Sequence, residues 1–297
     1  MMRLSAEVDE ALRAGRPVVA LETTLVAHGF PSDEGAAVAF ESEHRVRQAG
    51  AVPATTGVLD GEIRVGLDPA DVERFDAAAR KAGPRDLAAC AAQGAVGATT
   101  VGGTLAICQA AGIRFMATGG IGGVHRGFPS PPDVSGDLAE LARAETLVAS
   151  SGVKSFLDVA ATAEALETLG VPLLGFRTNE VPLFYASGRG PRVSARVESA
   201  EEAARIARVH WELGRGGLVL ARPPDRSLAD VEPLVEAALE EAERRGLSGP
   251  PVTPFVLSYL HEASEGRTLT ANRELVVANA SLAAEVAVAY AARRRDS

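Results

Sequence analysis

Short apolar segments alternate with helix-like segments along most of the chain, and this alternation restricts the possible folds more than any other feature. The runs at Pro17–Leu21, Ile113–Ala117 and Leu218–Ala221 have the length of buried strands. Strands that alternate with helices predict a sheet covered by helices. The Asp60-Gly61 pair between two apolar stretches predicts a hairpin with a type I′ turn, so the sheet should be mixed. We therefore predict an α/β fold, with a mixed β-sheet core layered by helices on both faces, in a single domain over residues 1–297.

Two predicted helices lie next to candidate functional residues. The Asp-Pro pair at the start of Asp68–Lys81 is typical of a helix N-terminus, and the whole segment is predicted to be helical. A second helix is predicted over Ser155–Leu169, directly after the strand Thr146–Ala149 and a short loop. Lys154 should then lie between the carboxyl end of a strand and the N-terminus of a helix.

The composition argues against several classes of partner. A net charge of −9 and a pI near 5.2 make a nucleic-acid or anionic-membrane surface a poor match for this chain. The first 17 residues do not resemble a signal peptide, and we see no apolar run of the ~20 residues that span a bilayer. We therefore expect a cytoplasmic protein in which Cys90 and Cys108 are reduced thiols.

The chain contains 30 cationic residues, but only Lys81 and Lys154 are lysines. A genomic preference for Arg explains the general pattern, and it makes the exceptions informative. Arg replaces Lys wherever only charge is needed, whereas it cannot act as a neutral amine that attacks a carbonyl. We therefore expect lysines that remain in such a chain to be enriched in functional roles.

Candidate catalytic groups follow two of the predicted strands. Lys154 follows Thr146–Ala149, and the carboxyl edge of an α/β sheet is where ligands bind. Apolar neighbours and a helix dipole would lower the pKa of its amine, as Schiff-base chemistry requires. Glu22 follows Pro17–Leu21, where burial would let it act as a general acid. The alternatives are a solvated surface lysine and a capping or solvated carboxylate.

A glycine-rich loop over Thr118–Asp133 leads into a D-x-S-x-D run formed by Asp133, Ser135 and Asp137. The loop fits neither the G-x-G-x-x-G nor the Walker A pattern, so standard nucleotide binding is not indicated. The acidic run suits either capping of the next helix or binding of a hard divalent ion. Both alternatives remain open from spacing alone, and we expect His28 and His125 to be structural.

Several segments, taken in order, resemble the pseudouridine-5′-phosphate glycosidases, the indigoidine synthase A-like family. The segments that carry the resemblance are ALETTLVAHG (20–29), PATTGVLDG (53–61), GATTV (97–101), ATGGIGGVHRG (117–127), DVSGDL (133–138), SGVKS (151–155), TPF (253–255) and the stretch from Asn272 to Ala280. They span nearly the whole chain, and the long glycine block is highly specific.

The resemblance implies reversible cleavage of the C–C glycosidic bond of pseudouridine 5′-phosphate to uracil and ribose 5-phosphate. It implies that Lys154 forms an imine at C1′, that Glu22 donates a proton to the leaving base, and that Asp133 holds a divalent ion, usually Mn²⁺, largely through waters. It also implies a homotrimer. The positions that match substrate contacts are Lys81, Val101, Ser135, Gly136, Asp137 and Asn272.

The sequence departs from the family pattern around Lys81, where the usual Lys-x-Ser-Arg-Arg-Asp-Leu is replaced by KAGPRDL. A Ser and an Arg are therefore missing beside Lys81, and Arg222 is a candidate to supply the lost charge. Gly136 stands where Ala is usual, and Phe128–Pro132 is unusually rich in proline. A Schiff-base aldolase or lyase for another sugar phosphate is an alternative, as is a metabolite-binding protein with a degenerate site.

Overall fold

The computed structural model of the chain describes residues 1–31, 34–127, 133–186, 190–228, 230–247, 249 and 251–294. The proline-rich segment Phe128–Pro132 lies outside the described residues. The strands are β1 (Met2–Leu4), β2 (Val18–Leu21), β3 (Val52–Leu59), β4 (Glu62–Val65), β5 (Arg80–Ala82), β6 (Gly97–Thr99), β7 (Phe115–Ala117), β8 (Val124–His125), β9 (Leu147–Ser150), β10 (Leu157–Asp158), β11 (Leu173–Phe176), β12 (Ala195–Val197) and β13 (Leu218–Ala221). The helices are α1 (Ala6–Arg13), α2 (Glu34–Gln48), α3 (Pro69–Val72), α4 (Leu87–Ala92), α5 (Val101–Ala111), α6 (Asp137–Arg143), α7 (Val159–Thr168), α8 (Ala200–Glu212), α9 (Glu232–Arg244), α10 (Val252–Ala263) and α11 (Arg267–Arg294), with a π-helical turn at Leu25–Gly29.

The main sheet is mixed, as predicted. Its strands lie in the order β1-β4-β3-β2-β7-β9-β13-β11-β12, and β6 pairs with both β3 and β5. The central strands from β3 through β2, β7, β9, β13 and β11 to β12 are parallel, whereas β4 and β6 are antiparallel to β3. The β3–β4 hairpin turns at Asp60 and Gly61, whose φ angles of 54° and 79° are both positive as a type I′ turn requires.

Helices cover both faces of the sheet, which confirms the predicted layering. Side chains alternate along a strand, so Val18 and Ala20 of β2 point to one core cluster and Val19 and Leu21 to another. The first cluster includes residues of α1, α5, α6, α7, α9 and α10, and the second includes residues of α2, α8 and α11.

The predicted helix Asp68–Lys81 is wrong over most of its length. Asp68 caps the chain as expected by accepting a hydrogen bond from the Asp71 N–H at 2.8 Å, but α3 ends at Val72. Phe75 then turns into a small core cluster, and Arg80–Ala82 forms β5 against β6. Long-range pairing therefore overrides the local helix signal and puts Lys81 on a strand.

The helix after Lys154 also begins later than predicted. Asp158 caps α7 by accepting from the Ala161 N–H at 2.9 Å, and Leu157–Asp158 pairs with β8. Lys154 therefore lies in a loop before a short strand, and it is not beside the N-terminus of a helix.

The longest helix, α11, contains a stretch that the apolar-run criterion missed. Arg267–Ala292 is long and apolar enough to cross a membrane by length and composition. Most of this stretch is buried inside the protein, where it packs against α2, α8, β7, β9 and β2. We interpret α11 as the central core helix of the fold. Cys90 and Cys108 are buried free thiols, as expected.

Candidate active site

Three adjacent parallel strands carry polar groups at their carboxyl ends. β2 is followed by Glu22, β7 by Thr118, and β9 by the loop that leads to Lys154. Because β2, β7 and β9 are neighbours in the sheet, these ends meet at one edge, where α/β proteins bind ligands. A cavity of about 580 Å³ opens there and is lined by Glu22, Lys81 and Lys154.

Most of the predicted site residues reach this cavity. Its walls include Glu22, Lys81, Asp133, Ser135, Gly136, Asp137 and Lys154. Val101 and Asn272 are not among the lining residues, and both are only 1% exposed. Val101 is the first residue of α5, directly after the cavity residue Thr100. The Asn272 amide nitrogen lies 3.4 Å from the Gly29 carbonyl oxygen.

Glu22 has the environment of a general acid. Its side chain is 5% exposed, and the Thr118 hydroxyl donates a short hydrogen bond to one carboxylate oxygen. Burial raises the pKa of Glu22 from 4.5 to about 7, although the cations Lys154 and Lys81 and the Thr118 hydrogen bond oppose this effect. A substantial fraction of this carboxyl group therefore keeps its proton at neutral pH.

The two lysines contribute amines from different parts of the fold. Lys154 lies two residues after Gly152. Gly152 has a φ of 80° and lies close to the Pro182 carbonyl, so this position excludes a larger residue. The Lys154 N–H is 3.3 Å from the Ile121 carbonyl, which ties this loop to the glycine loop. On β5, burial first and the Lys154 charge second lower the pKa of Lys81 to about 8.

The carboxylate of Asp137 is occupied by backbone groups. It accepts one hydrogen bond from the Gly102 N–H at the start of α5 and another from the Gly122 N–H in the glycine loop, both at 2.8 Å. The Ser135 hydroxyl accepts from the Asp137 N–H at 3.2 Å. Ser135 therefore bonds locally at the start of α6, whose N-cap is Gly136, and Asp137 joins α5 and α6 to the glycine loop.

Asp133 is the acidic residue of this run that remains available to a metal ion. Its carboxylate lies 3.6 Å from Nδ1 of His125. Within the described ranges, no three His, Cys, Asp or Glu side chains are grouped to hold a metal ion. A zinc-type cage does not fit this donor set. A hydrated hard cation, which keeps most of its waters and binds one or two carboxylates, does fit.

Sequence reasoning did not assign roles to Thr118 and Asn279, which lie beside the catalytic candidates. The Asn279 amide on α11 donates to the Thr118 carbonyl at 2.9 Å and to the Ser151 hydroxyl at 3.1 Å. It thereby holds the ends of β7 and β9 together. Its rarity was an available signal, because Asn179, Asn272 and Asn279 are the only asparagines in the chain.

The expectation for Arg222 is wrong in its location. Arg222 is not a lining residue of the cavity; it pairs with Asp225 at 2.5 Å and lines a separate cavity of about 530 Å³ with Arg177 and Arg273. Arg222 follows β13, which is farther along the sheet from β2 than β9 is. The arginine that does line the active cavity with Lys81 is Arg85.

The chain is similar to known proteins over nearly its whole length. Residues 7–289 match the indigoidine synthase A like protein family. The chain is 48% identical over 299 residues to a pseudouridine-5′-phosphate glycosidase of Streptomyces griseus, covering 98% of this chain and 93% of the relative. It is 45% identical over 295 residues to the enzyme of the same name from Sorangium cellulosum, covering 97% and 93%.

Solved structures of similar proteins share the fold. A crystal structure of the prealnumycin C-glycosynthase AlnA in complex with ribulose 5-phosphate superimposes with a TM-score of 0.90 at 38% identity, covering 100% of this chain and 99% of that one. An indigoidine synthase A-like protein from Thermotoga maritima gives a TM-score of 0.87 at 37% identity, covering 97% and 96%. The chain belongs to the indigoidine synthase A-like family.

Proposed function

We propose that the protein cleaves the C–C glycosidic bond of pseudouridine 5′-phosphate reversibly, giving uracil and ribose 5-phosphate. The observation that carries this proposal is the convergence of Glu22, Lys154 and Lys81 on one cavity, with burial raising the pKa of Glu22 to about 7. The names of the Streptomyces griseus and Sorangium cellulosum relatives support the choice of substrate.

In the proposed reaction Lys154 is the nucleophile. Its amine forms a bond to C1′ as the bond from C1′ to the ring oxygen breaks, and the proton that the nitrogen loses passes to that oxygen. The bond from C1′ to uracil C5 then breaks, its electron pair stays on the base, and the nitrogen–carbon bond becomes an iminium. Glu22 transfers its proton to C5 of the base. Water hydrolyses the iminium, which releases ribose 5-phosphate, restores the Lys154 amine and returns one proton to Glu22.

A C-glycoside explains why an amine is needed. The leaving atom is carbon and carries no lone pair for protonation, so the two-carboxylate mechanism of ordinary glycosidases is a poor match. An iminium accepts the electrons that stabilise departure of the base. Lys81 supplies a compact positive charge for the 5′-phosphate, and Arg85 lines the same cavity.

Asp133 is the residue that we propose for a Mn²⁺ ion, held largely through waters. The ion would supply positive charge beside the substrate phosphate or hydroxyl groups. We further propose that the protein works in the cytoplasm as a homotrimer, which sedimentation equilibrium at several protein concentrations would test.

The test of the function is a direct assay. The protein, pseudouridine 5′-phosphate and Mn²⁺ should yield uracil, and uridine 5′-phosphate should not be cleaved at a comparable rate. Borohydride added during turnover should trap a pentose phosphate adduct on Lys154. Full turnover by Lys154→Arg, or an adduct on another residue, would show that the mechanism is wrong.

A second candidate is a Schiff-base reaction of another pentose phosphate. AlnA, which shares this fold at 38% identity, was solved with ribulose 5-phosphate. This alternative predicts an adduct on Lys154 with ribulose 5-phosphate, and no uracil from pseudouridine 5′-phosphate. A degenerate binding protein would give neither uracil nor an adduct, and the retained Glu22, Lys154 and Asp133 argue against it.

A further inference from the structure

The segment that follows Glu22 bonds to three other parts of the fold. The Thr23 hydroxyl donates to the Thr56 carbonyl on β3 at 2.8 Å, and the Thr24 hydroxyl donates to the Ala98 carbonyl on β6 at 3.1 Å. Four residues later, Nε2 of His28 lies 3.0 Å from the Ala79 carbonyl, directly before β5. One short stretch of chain therefore connects the carboxyl end of β2 to β3, β6 and β5.

The strand that carries Lys81 is short and is anchored on both sides of that residue: the Arg80 side chain donates to Gln93 at 3.0 Å, and the buried Ala82 carbonyl accepts from the Thr100 N–H at 3.1 Å. β5 is three residues long and pairs within the described structure only with β6. The residues before it, from Glu73 to Ala79, form turns in place of a helix. Lys81 is the middle residue of β5, two positions after the carbonyl that His28 contacts. The His28 contact at Ala79 therefore adds an anchor on the amino-terminal side of Lys81.

His28 has the chemical state needed for this contact. A carbonyl oxygen only accepts, so Nε2 of His28 must carry the proton and donate. The side chain is half-buried, and burial lowers the pKa of His28, with Lys81 and Asp76 as the charges that face it. His28 lies in the π-helical turn Leu25–Gly29, and Val26 and Ala27 of that turn belong to the same core cluster as Phe75 and Ala79.

We propose that His28 is a positioning residue that holds β5, and thereby sets the distance between the phosphate-binding amine of Lys81 and the proton donor Glu22. This inference rests on the proposed function, in which Lys81 binds the substrate phosphate. His28 does not touch the substrate; it is not a lining residue of the cavity, whereas Glu22 and Lys81 are. Its contribution is to binding, not to the chemical step.

Three substitutions at this position separate the hydrogen bond from packing. His28→Leu fills the space without a donor, His28→Gln places an amide nitrogen close to the position of Nε2, and His28→Asn places it too far back to reach Ala79. We expect His28→Leu and His28→Asn to raise the Kd of ribose 5-phosphate, measured by titration calorimetry, about five- to tenfold, as loss of one hydrogen bond predicts. His28→Gln should stay within about twofold of the wild type, and kcat with pseudouridine 5′-phosphate should change little in all three.

A double-mutant cycle with Lys81→Met tests whether the effect passes through Lys81. In the Lys81→Met background, His28→Leu should no longer change the Kd of ribose 5-phosphate. The same five- to tenfold loss in both backgrounds would overturn the proposal, and so would failure of His28→Gln to restore affinity. A variant with lowered thermal stability but wild-type Kd would assign His28 a purely structural role and equally overturn it.

The design distinguishes this inference from the proposed function. The function fails if the wild-type protein releases no uracil from pseudouridine 5′-phosphate. The binding of ribose 5-phosphate does not depend on that reaction, so the cycle still tests His28. If the wild type releases uracil and binds ribose 5-phosphate, but His28→Leu binds it as tightly, only the inference about His28 fails.

Discussion

Replacement of Glu22 by Gln should make the protein more stable while abolishing the proposed cleavage. Burial raises the pKa of Glu22 from 4.5 to about 7, so ionisation is disfavoured in the folded protein relative to the unfolded chain. Below pH 4.5 the carboxyl group is protonated in both the folded and the unfolded state, so it does not lower the free energy of unfolding. Between pH 4.5 and pH 7 the unfolded chain loses this proton while the folded protein keeps it, so the free energy of unfolding falls as pH rises; above pH 7 both states are ionised and the fall stops. A shift of about 2.5 units at ~1.36 kcal/mol each gives a loss of about 3 kcal/mol.

The Glu22→Gln side chain keeps the oxygen that accepts from Thr118 but cannot ionise. The free energy of unfolding of this variant should therefore exceed that of the wild type by an amount that grows between pH 4.5 and pH 7 and levels off above pH 7 at about 3 kcal/mol. In thermal unfolding this amounts to roughly 6 °C. The matched control is Glu73→Gln, which makes the same change of charge on an exposed side chain and should follow the wild-type curve. If the wild type and Glu22→Gln lose stability in parallel with pH, the reasoning about Glu22 is refuted.

Three further changes test other contacts of the site. Thr118→Val removes a hydrogen bond that lowers the pKa of Glu22, so the alkaline limb of the kcat/KM profile for uracil release should move up by about one unit, and an unmoved limb would contradict a proton-donor role. Asp137→Asn leaves one of two glycine N–H groups without an acceptor and should cost about 2 kcal/mol in urea unfolding, against no loss if those contacts are unimportant. Gly152→Ala would place a methyl group 2.2 Å from a carbonyl oxygen at a φ of 80°, whereas Gly136→Ala has 3.8 Å of space and an ordinary helical φ of −63°. Thermal unfolding should therefore show clear destabilisation for Gly152→Ala and no loss for Gly136→Ala.

The layered fold was predictable because local patterns and tertiary structure agree over most of the chain. Apolar runs such as Val18–Leu21 are buried on both faces, and the Asp60-Gly61 pair adopts the backbone that its residues favour. The prediction failed at Asp68–Lys81 because the capping signal at Asp68 is real but extends for only one turn. Pairing of β5 with β6 decides the conformation of Lys81, and a local pattern contains no information about that pairing.

The candidate site likewise contains residues that the sequence predicted and contacts that it could not predict. Glu22 and Lys154 were predictable because both follow apolar strands, and parallel strands bring their carboxyl ends together. The contact between Asn279 and Thr118 joins residues 161 positions apart, and no spacing rule connects them. The sequence placed Asp137 in the candidate site. It could not predict that its carboxylate accepts hydrogen bonds from two glycines, because those glycines lie on different elements.

The contacts of Asp137 have a consequence for how the affinity of this cavity for phosphate should respond to pH. In a P-loop, backbone N–H groups hold phosphate, and their hydrogen bonds persist whatever the proton concentration. Here an internal carboxylate already occupies the N–H groups of Gly102 and Gly122, so in the proposed function the side-chain amines must supply more of the contacts to the phosphate. Lys81 has a pKa of about 8, and an amine that deprotonates near that value releases its anion in alkaline solution. Phosphate retention in this cavity should therefore weaken with rising pH, which a P-loop would not show.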